Sequence, residues 1–312
     1  MLIIKFLCVF FCAASLAVIA GGFAGFLYAC LRKNRDFDRF PAPGTEKSPR
    51  EISVSRNRAA VEYLDGHEYE DVSITSYDGK KLCARLYLGE QSEKFIVAVH
   101  GYRSSFGVDF GETAKFWYDK GYGVLAITQR AHGESGGRFI TYGVKECRDV
   151  HDWCEMLTRR FPRCKIILHG ISMGGATVIM AAETDLPRSV VGIIDDCGYS
   201  DPLEEIAYIA KKNLHLPRVF TISANLWCRL ICGVSLDRPV TRAAARCTLP
   251  KLFIHGKDDS FVPFSAGEEN FRAAAEPKIF ISVDGAAHAL SHYTAGVELE
   301  WRLCDFAESV MR

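Results

Sequence analysis

The 312-residue sequence predicts an α/β fold: a mostly parallel mixed sheet with helices on both faces and a short helical cap. Three observations predict it. Two alternating runs, Asp71–Tyr77 and Lys81–Leu88, flank Asp78-Gly79, the pattern of an opening hairpin. Short apolar runs then alternate with segments of helical period, as parallel strands joined by crossover helices require. A long stretch between Asp196 and Lys251 breaks that rhythm and carries apolar helical runs of its own.

Composition narrows the function before any motif does. Lys plus Arg and Asp plus Glu balance at 38 each, which argues against nucleic acid as the main partner. Charged residues at 24% and hydrophobic residues at 48% are ordinary for a globular protein, and no repeat or low-complexity tract is visible.

The N-terminus departs from that average. Phe6 to Leu31 contains no charged residue and exceeds the roughly 20 residues a helix needs to cross a bilayer core. A secretory signal has a shorter apolar region, so residues 1–35 are expected to form a retained single-pass anchor. Gly21 and Gly25 within it have the spacing of a close helix–helix contact. Arg32, Lys33, Arg35 and Arg39 follow the span, and only Lys5 and the terminal amine precede it. The large domain is therefore expected in the cytoplasm. Nine scattered cysteines beyond the anchor fit a reducing compartment. Cys228 and Cys232 share a helix face, but no second Cys or His pair completes a metal site.

Residues 36–60 are polar, with Pro41, Pro43, Gly44 and Pro49, and read as a linker to a domain over 61–312. After the hairpin the expected strands are Phe95–Val99, Gly123–Thr128, Lys165–Leu168, Val190–Asp195, Lys251–His255 and Lys278–Val283. Val144 to Phe161 has its apolar residues, Cys147, Val150, Trp153 and Leu157 among them, on one helical face. Leu203–Leu214 and Val219–Cys232 are the apolar helices of an insertion over about 199–247. An insertion at the carboxyl edge of a parallel sheet covers the crevice where ligands bind.

The chemistry centres on His169-Gly170-Ile171-Ser172-Met173-Gly174-Gly175, placed between an apolar strand and an Ala-rich helix. A G-x-S-x-G turn in that context lifts Ser172 above the sheet, and the glycines let neighbouring backbone approach. The Met173 amide, at a helix N-terminus, points to where an oxyanion would develop. His100-Gly101-Tyr102 follows the Phe95–Val99 strand and offers a second donor, the Tyr102 amide. Asp258 and Asp259 both stand at the exit of a strand, and either could orient an imidazole. His288 lies in a Gly/Ala loop after the last strand. Ser, Asp, His is the chain order of the α/β-hydrolase triad. His292 follows His288 by four residues, but the Glu of H-E-x-x-H is missing and zinc is not expected.

These motifs resemble those of the α/β hydrolases, specifically the BEM46-like and serine aminopeptidase-like group. The matching stretches are His100-Gly101-Tyr102, Gln129 to Gly137, Gly170 to Gly175, His255 to Pro263, and His288. They span the chain from about Glu70 onward. The resemblance puts the acid at Asp259 rather than Asp258, and Gln129 stands where relatives often carry Asp. It implies a serine hydrolase acting on a carboxylic ester or related acyl compound. Ser172 would be the nucleophile, His288 the base, Asp259 its orienter, and the Tyr102 and Met173 amides the oxyanion donors. No cofactor or metal is required. The expected partners are a small acyl substrate and, through the N-terminal helix, a membrane. Alternatives are an aminopeptidase-like enzyme with Glu204 or Glu205 holding an amine, a thioesterase, and a membrane-tethered binding protein.

Overall fold

The computed structural model describes residues 2–33 and 44–312. Its sheet has eight strands: β1 (Tyr69–Thr75), β2 (Lys81–Tyr87), β3 (Gln91–Val99), β4 (Tyr122–Thr128), β5 (Lys165–Ile171), β6 (Val190–Asp196), β7 (Lys251–Gly256) and β8 (Lys278–Val283). The spatial order is β1-β2-β4-β3-β5-β6-β7-β8. β2 runs antiparallel to both its neighbours, and every pairing from β4 to β8 is parallel. The opening hairpin pairs Thr75 with Lys81 across a loop in which Gly79 takes φ +77°, a conformation glycine adopts without strain.

Twelve helices accompany it among the described residues: α1 (Leu2–Cys30), α2 (Pro49–Asp65), α3 (Phe106–Asp109), α4 (Gly111–Asp119), α5 (Glu146–Arg160), α6 (Met173–Ala181), α7 (Pro202–Leu214), α8 (Arg218–Cys232), α9 (Val240–Arg246), α10 (Phe264–Ala273), α11 (Ser291–Ala295) and α12 (Val297–Val310). The period-2 geometry of a strand sends alternate side chains to opposite faces, so the sheet carries two cores. Phe95, Val97 and Val99 pack with α5, α6 and the cap, whereas Ile96 and Ala98 pack with α4 and α12.

The linker expectation needs correction. The stretch expected as linker over 36–60 contains the first part of α2; its residues 36–43 lie outside those described. Ser48 caps α2 by accepting the Glu51 amide hydrogen bond, and Pro49 supplies a pre-set first turn. Val54, Ala60 and Leu64 bury its inner side, and the Asn57 side chain adds polar ties, donating to Val108 O and accepting from Glu112 N.

The N-terminal helix is also more than a tether. Its residues Ile4 to Ala17 are all exposed, but its last turns dock on the domain. Phe26 and Cys30 are 1% exposed and belong to the main core, and Phe26 packs on Phe139 at 5.2 Å. Its partner is α8. A Cβ at Gly22 would stand 2.3 Å from Ser223 Cβ, and one at Gly21 would stand 2.6 Å from the Phe220 ring. Gly21 and Gly22 thus make the close approach, while a Cβ at Gly25 would meet only Ala224 Cβ, at 3.8 Å.

Candidate active site

Ser172 occupies the turn between β5 and α6 with φ 58° and ψ −120°, a strained conformation for a residue with a side chain. Its amide donates to Asp196 O at 2.8 Å, which fixes the turn on β6. The flanking glycines are obligatory in steric terms. A Cβ at Gly174 would lie 1.8 Å from Val99 O, and one at Gly170 would lie 2.1 Å from Gly174 O.

His288, from the loop after β8, places Nε2 2.9 Å from Ser172 Oγ and Nδ1 2.7 Å from Asp259 Oδ2. Asp259 Oδ1 accepts from the amides of Phe261 and Val262 at 2.8 and 2.9 Å. Burial alone would raise the Asp259 pKa. Hydrogen bonds from His255 and His288 and the Phe261 amide outweigh it and hold the carboxyl well below the usual range. Asp259 is therefore a buried anion aimed at an imidazole. Asp258 points to solvent.

His255 escaped sequence reasoning as a site residue. Its Nε2 lies 3.1 Å from Val262 O and 3.5 Å from Asp259 Oδ2, so it braces the acid loop from below. Its place at the end of a buried strand, four residues before Asp259, was the available signal.

Among the described residues, neither the Tyr102 nor the Met173 amide donates to a protein acceptor. The Gly101 amide is committed to Asp109 Oδ2 at 2.8 Å, and a Cβ there would stand 3.3 Å from Ser172 Cβ. The loop carrying Tyr102 thus lies directly against the serine. Two neutral imidazoles hold that loop. His100 Nε2 accepts from Gln129 N, and His132 Nε2 accepts from Arg103 N. Burial first, then the neighbouring His100, pushes His132 down to about 3. Arg130 is buried between Asp149, at 2.6 Å, and Asp78, at 3.0 Å, and anchors the turn that follows β4.

Cys197 Sγ falls within 4.8 Å of ligand atoms of Asp259 and His288. Burial raises the Cys197 thiol well above its ordinary pKa, and the other two groups are already hydrogen-bonded to each other. His292 lies 3.2 Å from Glu300 and takes no part in this cluster.

Above Ser172 and His288 is a cavity of about 410 Å³, within the ordinary size of a small-molecule site. The cap helices α7 and α8 contribute Ile206, Ile209, Phe220 and Ala224, and α1 contributes Gly21, Gly25, Tyr28 and Ala29. One acid faces it from α7. Glu205 is 7% exposed and its Oε1 has no partner among the described residues. Burial, reinforced by the Asp259 charge, pushes it up to about 8. A larger surface groove, about 730 Å³, lies between β1 and α5. The histidine there, His151, has both ring nitrogens near oxygen, from Asp152 and Asp185.

The strand order, the single antiparallel second strand and a serine at the β5–α6 turn decide the fold family. The chain has the α/β-hydrolase fold. A family model described as serine aminopeptidase, S33, matches residues 90–214 of this chain. Its sequence is 30% identical over 177 residues to the uncharacterized protein YqkD of Bacillus subtilis, covering 56% of this chain and 58% of that one. It is 33% identical over 122 residues to the thiohydrolase aneE of Aspergillus aculeatus, covering 38% of each. The chain thus spans only about half the length of the curated relatives it matches. Among solved structures, the Pyrococcus furiosus esterase Pf2001 superposes with a TM-score of 0.66 at 24% identity, over 80% of this chain and 94% of that one.

Proposed function

We propose that this α/β hydrolase is a serine esterase that cleaves a carboxylic ester through an acyl-enzyme. The observation that carries the reading is the hydrogen-bonded relay from Ser172 through His288 to Asp259, at the floor of an apolar cavity. His288 Nε2 takes the Ser172 proton as Oγ attacks the carbonyl, and returns it to the departing alcohol oxygen. Asp259 keeps the Nδ1 proton in place and stabilises the imidazolium. The Tyr102 and Met173 amides receive the oxyanion, each worth about 10²–10³ in rate. Water activated by His288 then releases the acid and restores Ser172.

Glu205 favours this reading over an aminopeptidase. An acid pushed up to about 8 is mostly neutral at pH 7, a partner for a hydroxyl or ester oxygen before an ammonium. The same reading makes α1 a retained membrane anchor. Its 27 residues from Ile4 to Cys30 are long and apolar enough to span, and cleavage after it would remove Phe26 and Cys30 from the core. The basic residues that follow, Arg32 and Lys33 among them, support a domain on the cytoplasmic side.

The test uses the full chain in detergent with its Ser172→Ala variant. Fluorophosphonate labelling and p-nitrophenyl ester hydrolysis are expected in the parent and lost in the variant. Ester hydrolysis that survives the substitution removes Ser172 as nucleophile.

A further inference from the structure

The exposed part of α1, Ile4 to Ala17, is 14 residues, or about 21 Å at ~1.5 Å per residue. A bilayer core is about 30 Å thick, so a spanning α1 must be embedded for about six residues more, to roughly Phe23. That level is where Gly21 and Gly22 press on Phe220 and Ser223, in the first turns of α8. Embedding α1 therefore carries α8 into the membrane surface with it.

The free face of α8 suits that position. Ile222, Leu226 and Leu230 are 54%, 54% and 67% exposed, and Val219 continues the stripe one turn earlier. Spaced three and four residues apart, they form one apolar helix face. It is continuous with the apolar surface of α1 through Trp227, which rests on Phe23 at 4.9 Å and donates to Ile19 O. Exposed apolar area of this extent marks a docking surface, and its continuity with the span identifies the bilayer as what covers it.

The cavity above Ser172 starts at this same level. Gly21, Gly25, Tyr28 and Ala29 line it in succession, from the Phe220 contact down to the loop of Tyr102. Eight residues of α1 separate Gly21 from Ala29, about 12 Å of wall. The glycines leave that wall flat, and Ile206, Ile209 and Leu214 of α7 face it across the cavity.

We infer that the substrate is a single-chain acyl ester dissolved in the membrane. Its chain enters between α1 and the cap and lies along α1 from Gly21 to Ala29, with the ester at Ser172. The membrane helix is then the surface that measures the chain. This rests on the serine-esterase reading above.

The experiment uses the full chain in phosphatidylcholine vesicles, with octanoyl-, lauroyl- and palmitoylglycerol as substrates and fluorophosphonate labelling to count active sites. Gly25 lines the cavity and a Cβ there would meet only Ala224 Cβ, at 3.8 Å, so Gly25→Leu adds bulk to the wall without the close approach that Gly22 makes. It is expected to lower the palmitoyl-to-octanoyl ratio of kcat/KM by about tenfold or more, the scale of a few methylenes in an apolar pocket. An unchanged ratio overturns the assignment of α1 as the acyl wall. Leu226→Glu combined with Leu230→Glu is expected to reduce palmitoylglycerol turnover in vesicles at least severalfold relative to detergent micelles. Equal loss in both, or none, overturns entry from the bilayer. Absent labelling of Ser172 together with absent hydrolysis of all three esters sinks the serine-esterase reading itself, a result distinct from either of the others.

Discussion

The Tyr102 hydroxyl donates to the Ala29 carbonyl at 2.7 Å, tying the loop beside Ser172 to the last turn of α1. The next residue strengthens the link. Arg103 donates to the carbonyls of Tyr28 and Leu31, and Ile140 N donates to Cys30 O at 2.7 Å. The final carbonyls of a helix have no intrahelical partner, and here the loop supplies partners for them.

Removing that hydroxyl should loosen the loop without removing its amide. Tyr102→Phe is expected to lower kcat by about three- to tenfold, the equivalent of one ordinary hydrogen bond, with a smaller change in KM. Steady-state kinetics on a short-chain p-nitrophenyl ester would show it. An unaltered kcat would mean that α1 does not position the loop.

The two adjacent acids should behave differently. Asp259→Asn is expected to reduce kcat by about 10⁴, because the amide favours the wrong imidazole tautomer while leaving the fold intact. Asp258→Asn, on an exposed residue, should remain within about twofold of the parent. Comparable losses in both variants would displace Asp259 as the orienting acid.

Glu205 gives stability a pH dependence of known sign. Its folded pKa, about 8, exceeds the ordinary glutamate value, so the folded state holds a proton that the unfolded chain releases. Stability from this group is complete below about pH 4.5 and is lost as pH rises towards 8. Glu205→Gln should therefore melt above the parent at pH 8, by an increment on the order of a few kcal/mol, and the gap should close near pH 4.5. Parallel melting curves across that range would show that Glu205 is not held neutral.

Phe26 tests whether the end of α1 is part of the folded core. Phe26→Ala is expected to destabilise by about 3–5 kcal/mol, as for other buried aromatic truncations. Urea denaturation of the detergent-solubilised full chain would measure it. A shift under about 0.5 kcal/mol, typical of an exposed site, would mean the helix end is only loosely attached.

Much of this architecture was legible in the residues. Every strand expected from apolar alternation is present within a few residues, because a buried parallel strand leaves an unmistakable apolar run. Ser172, His288 and Asp259 were singled out by motif and order, and the structure brings them within hydrogen-bond distance. What escaped was held by polar or long-range contacts. The helix α2 buries Ser53 and Asn57 among Val54, Ala60 and Leu64, so polar residues interrupt its hydrophobic period; Ser48-Pro49 with Glu51 was the signal to read. The docking of α1 was hidden for the opposite reason. A helix apolar on every side shows no preferred face, and only the tertiary contacts reveal which turn meets α8.

The distance along the chain between Gly22 and Ser223 has a consequence for how the protein is made. The first helix emerges from the ribosome long before the cap helix that packs on it, so it must wait through the synthesis of most of the sheet. Until α8 arrives, the end of α1 and the loop of Tyr102 cannot take their final places. The loop of Tyr102 is thus settled only after α8 has been made, and a chain that fails to seat its first helix leaves that loop untied from Tyr28, Ala29 and Leu31.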